Sequence, residues 1–341
     1  MITPRTDTRS ASAPEAWAIL AGELQQLQLA LASFAEAASG MTRDQLSVRV
    51  QQRFQELLRV ANALIGARSA LTPEARAAVG QRLQDALLPF LTRCELGARM
   101  YEKPRGYAGD FYTIELMYRG ASDSDGPVES LIGRCMMGTA AFRAVRNRRT
   151  LLRSELSRTL TEVPSRAARI TSLACGPARE LFDCMDLVGA DRMDLTLVDI
   201  DPQALDFVRA QAEARGVIQR VRLERQNLIA LAMGERELAQ APQDLIYSIG
   251  LIDYLKDAQV VGLLDWVHGQ LAPGGRVILG NFHPDNTTRV IMDHVLEWRL
   301  IHRDEDDMDR LFRASRFGRA STALRFEDAG VNLFAECVKA Q

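Results

Sequence analysis

The sequence predicts an α/β fold in which a doubly wound, mostly parallel sheet follows an all-helical N-terminal domain. Before residue 165, apolar residues recur at helical spacing and strand patterns are almost absent. From residue 168 onward, short apolar runs alternate with amphipathic stretches, which is the pattern of strands joined by crossover helices. This change of pattern places the boundary between a helical domain, 1–164, and a sheet domain, 165–341.

The N-terminal domain is predicted to be a bundle of long helices. The first helix carries an apolar stripe formed by Trp17, Leu20, Leu24, Leu27 and Leu31. Because an uncovered apolar stripe favours association, a homodimer through the first helices is one expectation. A later helix should begin after Thr72, since threonine caps a helix and the proline that follows suits its first position. The stretch 127–160 is predicted to form one long helix.

The second half of the chain is predicted to supply a parallel sheet and a terminal hairpin. The expected strands of the parallel sheet read ARITSLA, DLTLVDI, RVRLERQNL, QDLIYSIGL and GGRVILGNF. Amphipathic stretches such as PARELFDCMDLV and DPQALDFVRAQAEARG follow the first two strands as helices. The last segment, STALRFEDAGVNLFAECVKA, reads as two strands around an Asp-Ala-Gly turn, an antiparallel hairpin at the sheet edge.

Charge and cysteine content exclude several classes of protein. The formal net charge of -2 gives no general attraction to nucleic acid, so no nucleic-acid partner is expected. The run RAVRNRRTLLR is interpreted as a solvated or interdomain helix face. The five cysteines form no CxxC pair and the four histidines lack metal-binding spacing, so no metal site and no disulfide framework are expected. With no signal-peptide core and no apolar run of membrane-spanning length, a cytoplasmic location is expected.

The stretch ITSLACGPARELF places a small-residue turn where a strand gives way to a helix. Ligands of open α/β sheets bind outside the carboxyl ends of the strands. This turn suits a ligand without phosphate better than a pyrophosphate, because it has one glycine, Gly176, and because Pro177 has no N–H. Asp199 ends the second strand and is predicted to accept hydrogen bonds from ribose hydroxyls. Asp201, directly before Pro202, is the expected N-cap of the next helix, which leaves Asp199 for the ligand.

Five motifs, LACGPARE, LVDIDPQAL, RQNL, DLIYSIGLIDYL and LAPGGRVILGNF, occur in the order and spacing of the class I S-adenosylmethionine-dependent methyltransferases. The chain resembles this family over roughly residues 165–341, which implies a Rossmann-like sheet and S-adenosyl-L-methionine as cofactor. Where the family pattern reads Asp-x-Gly-x-Gly-x-Gly, this chain has Ser172, Ala174, Gly176 and Ala178, so three of the four positions differ. The resemblance implies that Arg179, or groups from the N-terminal helical domain, contact the amino-acid end of the cofactor in place of the residues that differ.

The same resemblance implies which residues bind the cofactor. They are Ala174, Cys175, Gly176 and Pro177 for the methionine part, Asp199 with Ile200 for the ribose, Asn227 and Leu228 for the adenine, and Ser248, Ile249 and Gly250 facing the sulfonium.

Two further segments, YEKPRGYAGD and the segment beginning NFHPDN, resemble a bacterial subgroup of these methyltransferases over roughly residues 95–341. That subgroup is associated with making the methyl ester of 3-hydroxypalmitic acid. The resemblance implies that the helical domain forms a lid over the methyl-transfer pocket. From the residues alone, a helix break with aromatic packing remains an alternative for the first segment.

Polar groups of these segments supply candidate catalytic and substrate-binding residues. A carboxylate acceptor needs no general base, whereas an alcohol or a protonated amine does. The candidate bases are Tyr107, Asp110 and His283. The candidate substrate-binding residues are Tyr101, Arg105, Asn281, Trp298 and Arg303. An apolar set either lines a substrate tunnel or packs between helices; its members are Met136, Met137, Met292, Leu296 and Trp298.

The leading hypothesis is methyl transfer from S-adenosylmethionine to a small molecule, with the carboxyl group of a hydroxy fatty acid as the acceptor. An N- or O-methyltransferase acting on an amine or a secondary metabolite is the alternative within the same class. Aminopropyl transfer is less favoured, because no acidic patch follows the fourth strand. A hypothesis of another class is a non-catalytic cofactor-sensing or scaffold protein, which the departures from the glycine pattern keep open.

Overall fold

The computed structural model describes residues 12–36, 40–120 and 126–341. Residues 1–11, part of the segment in which the sequence shows no signal-peptide core, lie outside the described residues. Two compact units are present: a helical unit, Met1–Arg143 with Asp285–Arg299, and a sheet unit, Ala144–Pro284 with Leu300–Gln341. The division into domains 1–164 and 165–341 stays a prediction. Among the described residues, no helix is both long enough and apolar enough to cross a membrane.

In the described part of the chain, seven α-helices precede the first strand. They are α1 (Ala13–Glu36), α2 (Arg43–Ile65), α3 (Pro73–Leu91), α4 (Glu95–Glu102), α5 (Phe111–Arg119), α6 (Pro127–Met137) and α7 (Ala140–Glu162). Most of α7, residues 144–162, belongs to the sheet unit.

The leucine stripe of α1 is covered within the chain. Leu20, Leu24, Leu27 and Leu31 are at most 7% exposed, and α1 packs on α2 and α3. A second copy of the chain is therefore not needed to cover this stripe. This corrects the reason for expecting a homodimer.

Short polar signals decide where these helices begin and end. The N–H of Ala75 donates to the Thr72 hydroxyl over 3.2 Å, which confirms Thr72 as the N-cap of α3. The prediction of one long helix over residues 127–160 is wrong, because the chain breaks between α6 and α7. There the Gly138 N–H closes α6 and the Thr139 hydroxyl donates to the Met136 carbonyl over 2.8 Å.

The segment Asp285–Arg299, which begins three residues after the fifth strand, belongs to the helical unit. Ile291–Val295 form a π-helical turn that packs on α3. Gly80 of α3 permits this contact, since a Cβ at that position would lie 2.3 Å from Nδ1 of His294. The Gln84 amide, also on α3, donates to the Val295 carbonyl over 3.1 Å.

The sheet unit holds a seven-stranded sheet. Its strands are β1 (Ala168–Leu173), β2 (Met193–Asp199), β3 (Val221–Arg225), β4 (Gln243–Ile249), β5 (Leu271–Phe282), β6 (Ala323–Phe326) and β7 (Asn332–Val338). Their spatial order is β3-β2-β1-β4-β5-β7-β6, and β1 to β5 run parallel. The order reverses between β1 and β4, so the predicted doubly wound sheet is confirmed.

Each face of the sheet carries its own helices and apolar core. The remaining helices are α8 (Arg179–Val188), α9 (Pro202–Ala214), α10 (Leu228–Ala232), α11 (Asp257–Gln270) and α12 (Glu305–Ala314). Helices α7, α8 and α9 pack on one face, where Leu195 and Leu197 of β2 are buried. Helices α10, α11 and α12 pack on the other, where the neighbouring Val198 is buried. This alternation is what a strand covered on both faces requires.

The last two strands form the predicted edge hairpin. Strand β7 is antiparallel to both β5 and β6. Glu327 holds the turn, because its carboxylate accepts the N–H groups of Ala329 and Val331 over 2.6 and 2.9 Å. The Asn147 amide of α7 donates to the same carboxylate over 2.8 Å, so α7 is also tied to this turn.

A buried group of charged side chains fastens α7 to the sheet. Arg276 of β5 is 3% exposed, and its Nη1 lies 2.7 Å from the Glu155 carboxylate of α7 and 3.0 Å from the Glu336 carboxylate of β7. Its Nη2 donates to the Glu155 carbonyl and the Thr159 hydroxyl over 2.7 and 2.6 Å. Arg158 adds a second cation at the rim of the group. The buried charges are thus tolerated as a set, each compensated by the others.

Replacing Arg276 by methionine should destabilise the protein strongly. The change leaves the carboxylates of Glu155 and Glu336 buried without their central cation, so the free energy of unfolding should fall by about 3–5 kcal/mol. Urea denaturation followed by circular dichroism measures the loss. As a control, Arg59→Ala removes an exposed ion pair with Glu56 on α2 and should cost less than about 1 kcal/mol. Equal losses in the two variants would contradict the role of Arg276.

Candidate functional site

The turn after β1 is bent sharply at three positions. Ala174, Gly176 and Ala178 have φ values of 53°, 52° and 50°, a left-handed conformation that costs an alanine about 1–2 kcal/mol. The Cys175 N–H donates to the Val198 carbonyl over 3.0 Å, so the turn is bonded to the end of β2. Such strain persists only where the surrounding structure imposes it, often at functional sites.

The four turn residues assigned to the methionine part differ in exposure. Ala174 and Gly176 are half-buried, whereas Cys175 and Pro177 are buried. Burial raises the pKa of the Cys175 thiol, which keeps it protonated and unreactive at neutral pH. The small residues of the turn, and not the thiol, therefore offer surface to a ligand.

Asp199 joins the ends of β1 and β2. Its carboxylate is 5% exposed and accepts the Gly176 N–H at Oδ2 and the Asp201 N–H at Oδ1, each over 3.0 Å. Burial raises the pKa of this carboxyl, while the two N–H groups lower it. Each carboxylate oxygen has two lone pairs, so acceptor capacity remains for ligand hydroxyls. As predicted, Asp201 caps α9, accepting the Gln203 N–H over 2.9 Å.

The residues assigned to the adenine adjoin the end of β2. The Gln226 N–H donates to the Asp199 carbonyl over 3.1 Å. The next residue, Asn227, is the N-cap of α10, and its Oδ1 accepts two N–H groups over 3.0 and 3.4 Å. Leu228 is 7% exposed, whereas Ile200 beside Asp199 is 54% exposed. An apolar surface and a polar cap thus flank the Asp199 carboxylate.

Strand β4 ends beside β1. The buried Ser248 hydroxyl donates to the Leu173 carbonyl over 2.9 Å, so it holds the two strands together. Ile249 is half-buried, and Gly250 follows with a φ of 87°. Nη1 of Arg148 lies 3.0 Å from where a Cβ of Gly250 would be. The charge run was interpreted as a solvated or interdomain face, and since Arg148 is 7% exposed, the solvated alternative does not hold at this residue.

Two buried carboxyl groups near this edge were not among the predicted site residues. Glu180 of α8 accepts the Tyr247 hydroxyl over 2.7 Å, and burial raises its pKa. Asp253, in the turn after β4, accepts the Phe282 N–H over 2.7 Å. Burial raises the pKa of Asp253 to about 6, although nearby arginines lower it. Sequence reasoning missed both because an acidic residue at a helix start or in a turn normally lies in solvent.

Asn281 and Arg303 are buried structural residues. The Asn281 amide donates to two backbone carbonyls, each over 2.9 Å. Arg303 is 2% exposed and donates to the Asn281 amide oxygen over 3.0 Å and to the Asp257 carboxylate over 2.9 Å. Its two Nη groups also donate to two backbone carbonyls of the turn after β4, over 2.8 and 2.6 Å. This geometry does not favour the predicted substrate-binding roles, because these polar atoms are already used.

His283 lies directly after β5 and has a carboxylate partner. Its Nε2 is 3.2 Å from Oε2 of Glu305, the first residue of α12. The imidazole packs edge-on against Phe326, with ring centroids 5.3 Å apart, and its side chain is 14% exposed. The Glu305 carboxylate orients the imidazole, so His283 stays a candidate base.

Asp110 is completely buried at the start of α5. Its carboxylate accepts the N–H groups of Tyr112 and Thr113 over 2.9 and 3.1 Å. Arg99 lies 3.2 Å away and Arg105 3.6 Å away. A carboxylate that caps a helix and pairs with two arginines already uses its acceptor oxygens, which favours a structural role over that of a general base.

The other predicted residues of the helical unit divide by burial. Tyr101, at the end of α4, and Tyr107, in the loop before α5, are half-buried. The apolar set is at most 7% exposed and packs between helices, as one of the two interpretations held; it comprises Met136, Met137, Met292, Leu296 and Trp298. Tyr107 and Asp110 belong to the helical unit and His283 to the sheet unit, so the three predicted bases are not brought together within one unit.

Asp253→Asn should alter the pH dependence of stability. The carboxyl ionises near pH 4 in the unfolded chain and near pH 6 in the folded protein. Between these values the folded state binds more protons, so the wild type's free energy of unfolding falls as the pH rises and stays lower above pH 6. The variant keeps the acceptor for the Phe282 N–H but cannot ionise.

The wild type should therefore lose on the order of 1–3 kcal/mol relative to Asp253→Asn between pH 4 and pH 6.5. Urea denaturation of both proteins at several pH values measures the difference. Asp306→Asn, which changes an exposed carboxylate of α12, should follow the wild type. Parallel pH profiles for wild type and Asp253→Asn would refute the prediction.

Comparison with known proteins gives a family and a fold. The model of the family described as "Putative methyltransferase" matches residues 69–332. A structure from Bordetella parapertussis, described as a possible exported protein, is 20% identical with a TM-score of 0.54, covering 99% of this chain and 100% of that one. The comparison with curated proteins finds no match.

Two solved methyltransferases are similar at lower TM-scores. The magnesium protoporphyrin IX methyltransferase of Synechocystis PCC 6803 with bound SAH is 11% identical, with a TM-score of 0.46 and coverage of 59% of this chain and 87% of that one. The S-adenosylmethionine-dependent methyltransferase SibL in its apo form is 18% identical, with a TM-score of 0.46 and 96% coverage of both chains. Because the family model spans most of the sequence, including the whole carboxyl edge of β1 to β5, the chain belongs to this family of methyltransferases.

Proposed function

We propose that this methyltransferase moves the methyl group of S-adenosylmethionine to a small molecule. The observation that carries the proposal is the contact between Asp199 and the turn after β1. A buried carboxylate bonded to the Gly176 N–H offers acceptor sites to the ribose hydroxyls of an adenosine group. The turn has one glycine and the donor-free Pro177, so it suits a ligand without phosphate.

The proposed binding residues follow the ends of the strands. They are Ala174, Cys175, Gly176 and Pro177 for the methionine part, Asp199 and Ile200 for the ribose, Asn227 and Leu228 for the adenine, and Ser248, Ile249 and Gly250 for the sulfonium region. When bound, S-adenosylmethionine supplies a methyl group already activated on sulfur. The chain then has to hold acceptor, methyl carbon and sulfur in line and exclude water. The Ser248 hydroxyl already donates to the Leu173 carbonyl. At the end of β4, backbone atoms rather than this hydroxyl are therefore the groups that face the sulfonium region.

The acceptor that we propose is the carboxyl group of a hydroxy fatty acid. It is supported by the segments YEKPRGYAGD and NFHPDN, whose resemblance to the 3-hydroxypalmitic acid methyl ester subgroup motivates it. A carboxylate is nucleophilic without a general base. This agrees with the role of Asp110, a candidate base that instead caps α5. An N- or O-methyltransferase acting on an amine or a secondary metabolite is the second candidate. The pairing of His283 with Glu305 favours it, because those acceptors need a base.

The proposal includes a lid and a cellular location. The helical domain, 1–164, covers the acceptor during methyl transfer, which keeps water from the reacting atoms. The protein works in the cytoplasm, a location supported by the five cysteines, all of which are buried thiols that a reducing compartment preserves.

Incubation with methyl-labelled S-adenosylmethionine tests the acceptor. Purified protein is given a mixed panel of hydroxy fatty acids, amines and phenols, and each labelled product is treated with alkali. A methyl ester releases its label as volatile methanol, which is the expected result. Alkali-stable label would overturn the ester proposal and indicate nitrogen or ether methylation.

The matched variants Asp199→Asn and Asp206→Asn control this experiment. The first removes the charge proposed to bind the ribose, so its affinity for S-adenosylhomocysteine should fall about tenfold or more. The second removes an exposed charge of α9 and should bind like the wild type. Equal affinities of the two variants, measured by calorimetry, would contradict the ribose assignment.

His283→Gln separates the two acceptor classes. If the acceptor is a carboxylate, kcat should stay within a few-fold of the wild type, because no proton has to be removed. If an amine or hydroxyl is methylated, kcat should fall about 10²–10⁴-fold. The pH profile of kcat/KM provides a second readout, since a required base adds an ionisation that the variant lacks. A large loss with an ester-forming substrate would refute the base-free mechanism.

A further inference from the structure

Helix α7 brings an arginine to the carboxyl edge of the sheet. Arg148 is 7% exposed and shares the buried face of α7 with Leu152 and Glu155. Glu155 is fixed by Arg276 of β5. Two helical turns separate residues 148 and 155, a rise of about 10 Å. The same helix is therefore anchored at one level of the sheet and presents Arg148 at another, beside the end of β4.

Gly250 is shaped to admit this guanidinium. A Cβ at position 250 would meet Nη1 of Arg148 at 3.0 Å, and the φ of 87° is itself a conformation that side chains rarely adopt. The Arg148 guanidinium therefore rests on the backbone directly after β4. The adjacent β1 is held to β4 by the bond from Ser248 to Leu173.

Two carboxyl groups on neighbouring elements interact electrostatically with the Arg148 guanidinium. Arg148 is close enough to Glu180 of α8 and Asp253 after β4 to lower the pKa of both carboxyls. Each has a second partner: Tyr247 donates to Glu180, and the Phe282 N–H donates to Asp253. A guanidinium has five N–H donors in a planar fork that matches a carboxylate.

We propose that Arg148 binds the carboxylate at the amino-acid end of the methyl donor. The inference rests on the proposed function, and it names one residue of the helical domain, 1–164, for a role that the resemblance gave only to Arg179 or to unnamed groups of that domain. The first strand ends with Ser172 and Ala174, so it brings no charged side chain to this end of the ligand. Arg148 lies on the β4 side of the turn after β1, the turn assigned to the methionine part.

The position of Arg148 matches the order of the strands. Asp199 marks the end of β2 and Gly250 the end of β4, with β1 between them. Two strand spacings amount to about 10 Å. An adenosine bound at Asp199 with its amino-acid arm extended across the turn after β1 would thus carry its carboxylate toward Arg148. An acceptor carboxylate is the other source of the same chemistry, and the experiment distinguishes the two.

The test compares two ligands that share the adenosine and the sulfur. S-adenosylhomocysteine carries the amino-acid arm, and 5′-methylthioadenosine lacks it. In Arg148→Met the affinity for S-adenosylhomocysteine should fall about tenfold or more, because a charged hydrogen bond is lost. The affinity for 5′-methylthioadenosine should stay within about threefold, which also shows that the pocket is folded. Isothermal calorimetry measures both.

Arg153→Met is the matched control, since it removes an exposed arginine from the same helix. Both affinities should equal those of the wild type. Arg148→Lys keeps the charge but loses the planar fork, so its affinity for S-adenosylhomocysteine should lie between those of wild type and Arg148→Met. If Arg148→Met does not fold, the ratio of the two affinities in Arg148→Lys decides the question.

Three results would overturn the inference. One is an unchanged affinity for S-adenosylhomocysteine in Arg148→Met. Another is an equal loss for both ligands. The third is a raised KM for a carboxylic acid acceptor with S-adenosylhomocysteine binding intact, which would assign Arg148 to the acceptor. If the wild type binds neither adenosine ligand, the proposed function itself fails, and that outcome is separate from the other three.

Discussion

The buried contact of Arg276 with Glu155 and Glu336 is the constraint on which the sheet unit depends. It joins α7, β5 and β7, three elements that are distant in sequence. Charges so deeply buried are tolerated only as a complete set. Because Glu155 is bonded to Arg276, α7 is held against the sheet at this position. Asn147 then reaches the turn of the edge hairpin, and Arg148 reaches the end of β4.

The carboxyl edge of the sheet combines backbone strain with buried charge. Two alanines and a glycine take left-handed conformations in one turn, and Asp199 holds that turn by accepting the Gly176 N–H. Glu180 and Asp253 lie nearby with raised pKa values, since burial disfavours their ionised forms. A folded chain keeps such costly features where surrounding contacts enforce them. Backbone strain and buried carboxyl groups thus occur together at this edge of the sheet.

Much of the secondary structure was predictable because its causes are local. Alternating apolar runs and amphipathic stretches predicted the strands, the helices between them and the edge hairpin, and Thr72 and Asp201 were recognised as caps from their neighbours alone. The break at Gly138 and Thr139 was missed because the residues on both sides keep a helical pattern. Here the helix ends because the Gly138 N–H and the Thr139 hydroxyl both donate to carbonyls of α6. Such hydrogen bonds depend on the folded backbone and cannot be recognised from a Gly-Thr pair alone.

The roles of single polar side chains were much less predictable. Asp110, Asn281 and Arg303 look like site residues in the sequence, yet each is buried with its polar atoms bonded within its own unit. In the sequence Arg148 is one arginine of a run interpreted as a solvated or interdomain face, and in the structure it is buried against Gly250. Residue type and spacing do not say which face of a helix is covered when that face mixes charged and apolar residues, as α7 does.

The sequence by itself determined the alternation of strands and helices, the small-residue turn after β1 and the acidic end of β2, because each depends on residues adjacent in the chain. Only the tertiary structure decided which charges are buried, which polar groups are already bonded, and that an arginine of α7 lies at the end of β4. Those outcomes depend on contacts between residues as many as 225 positions apart in the chain. Burial and hydrogen bonding, which set the pKa values and the available donors, arise only from those contacts.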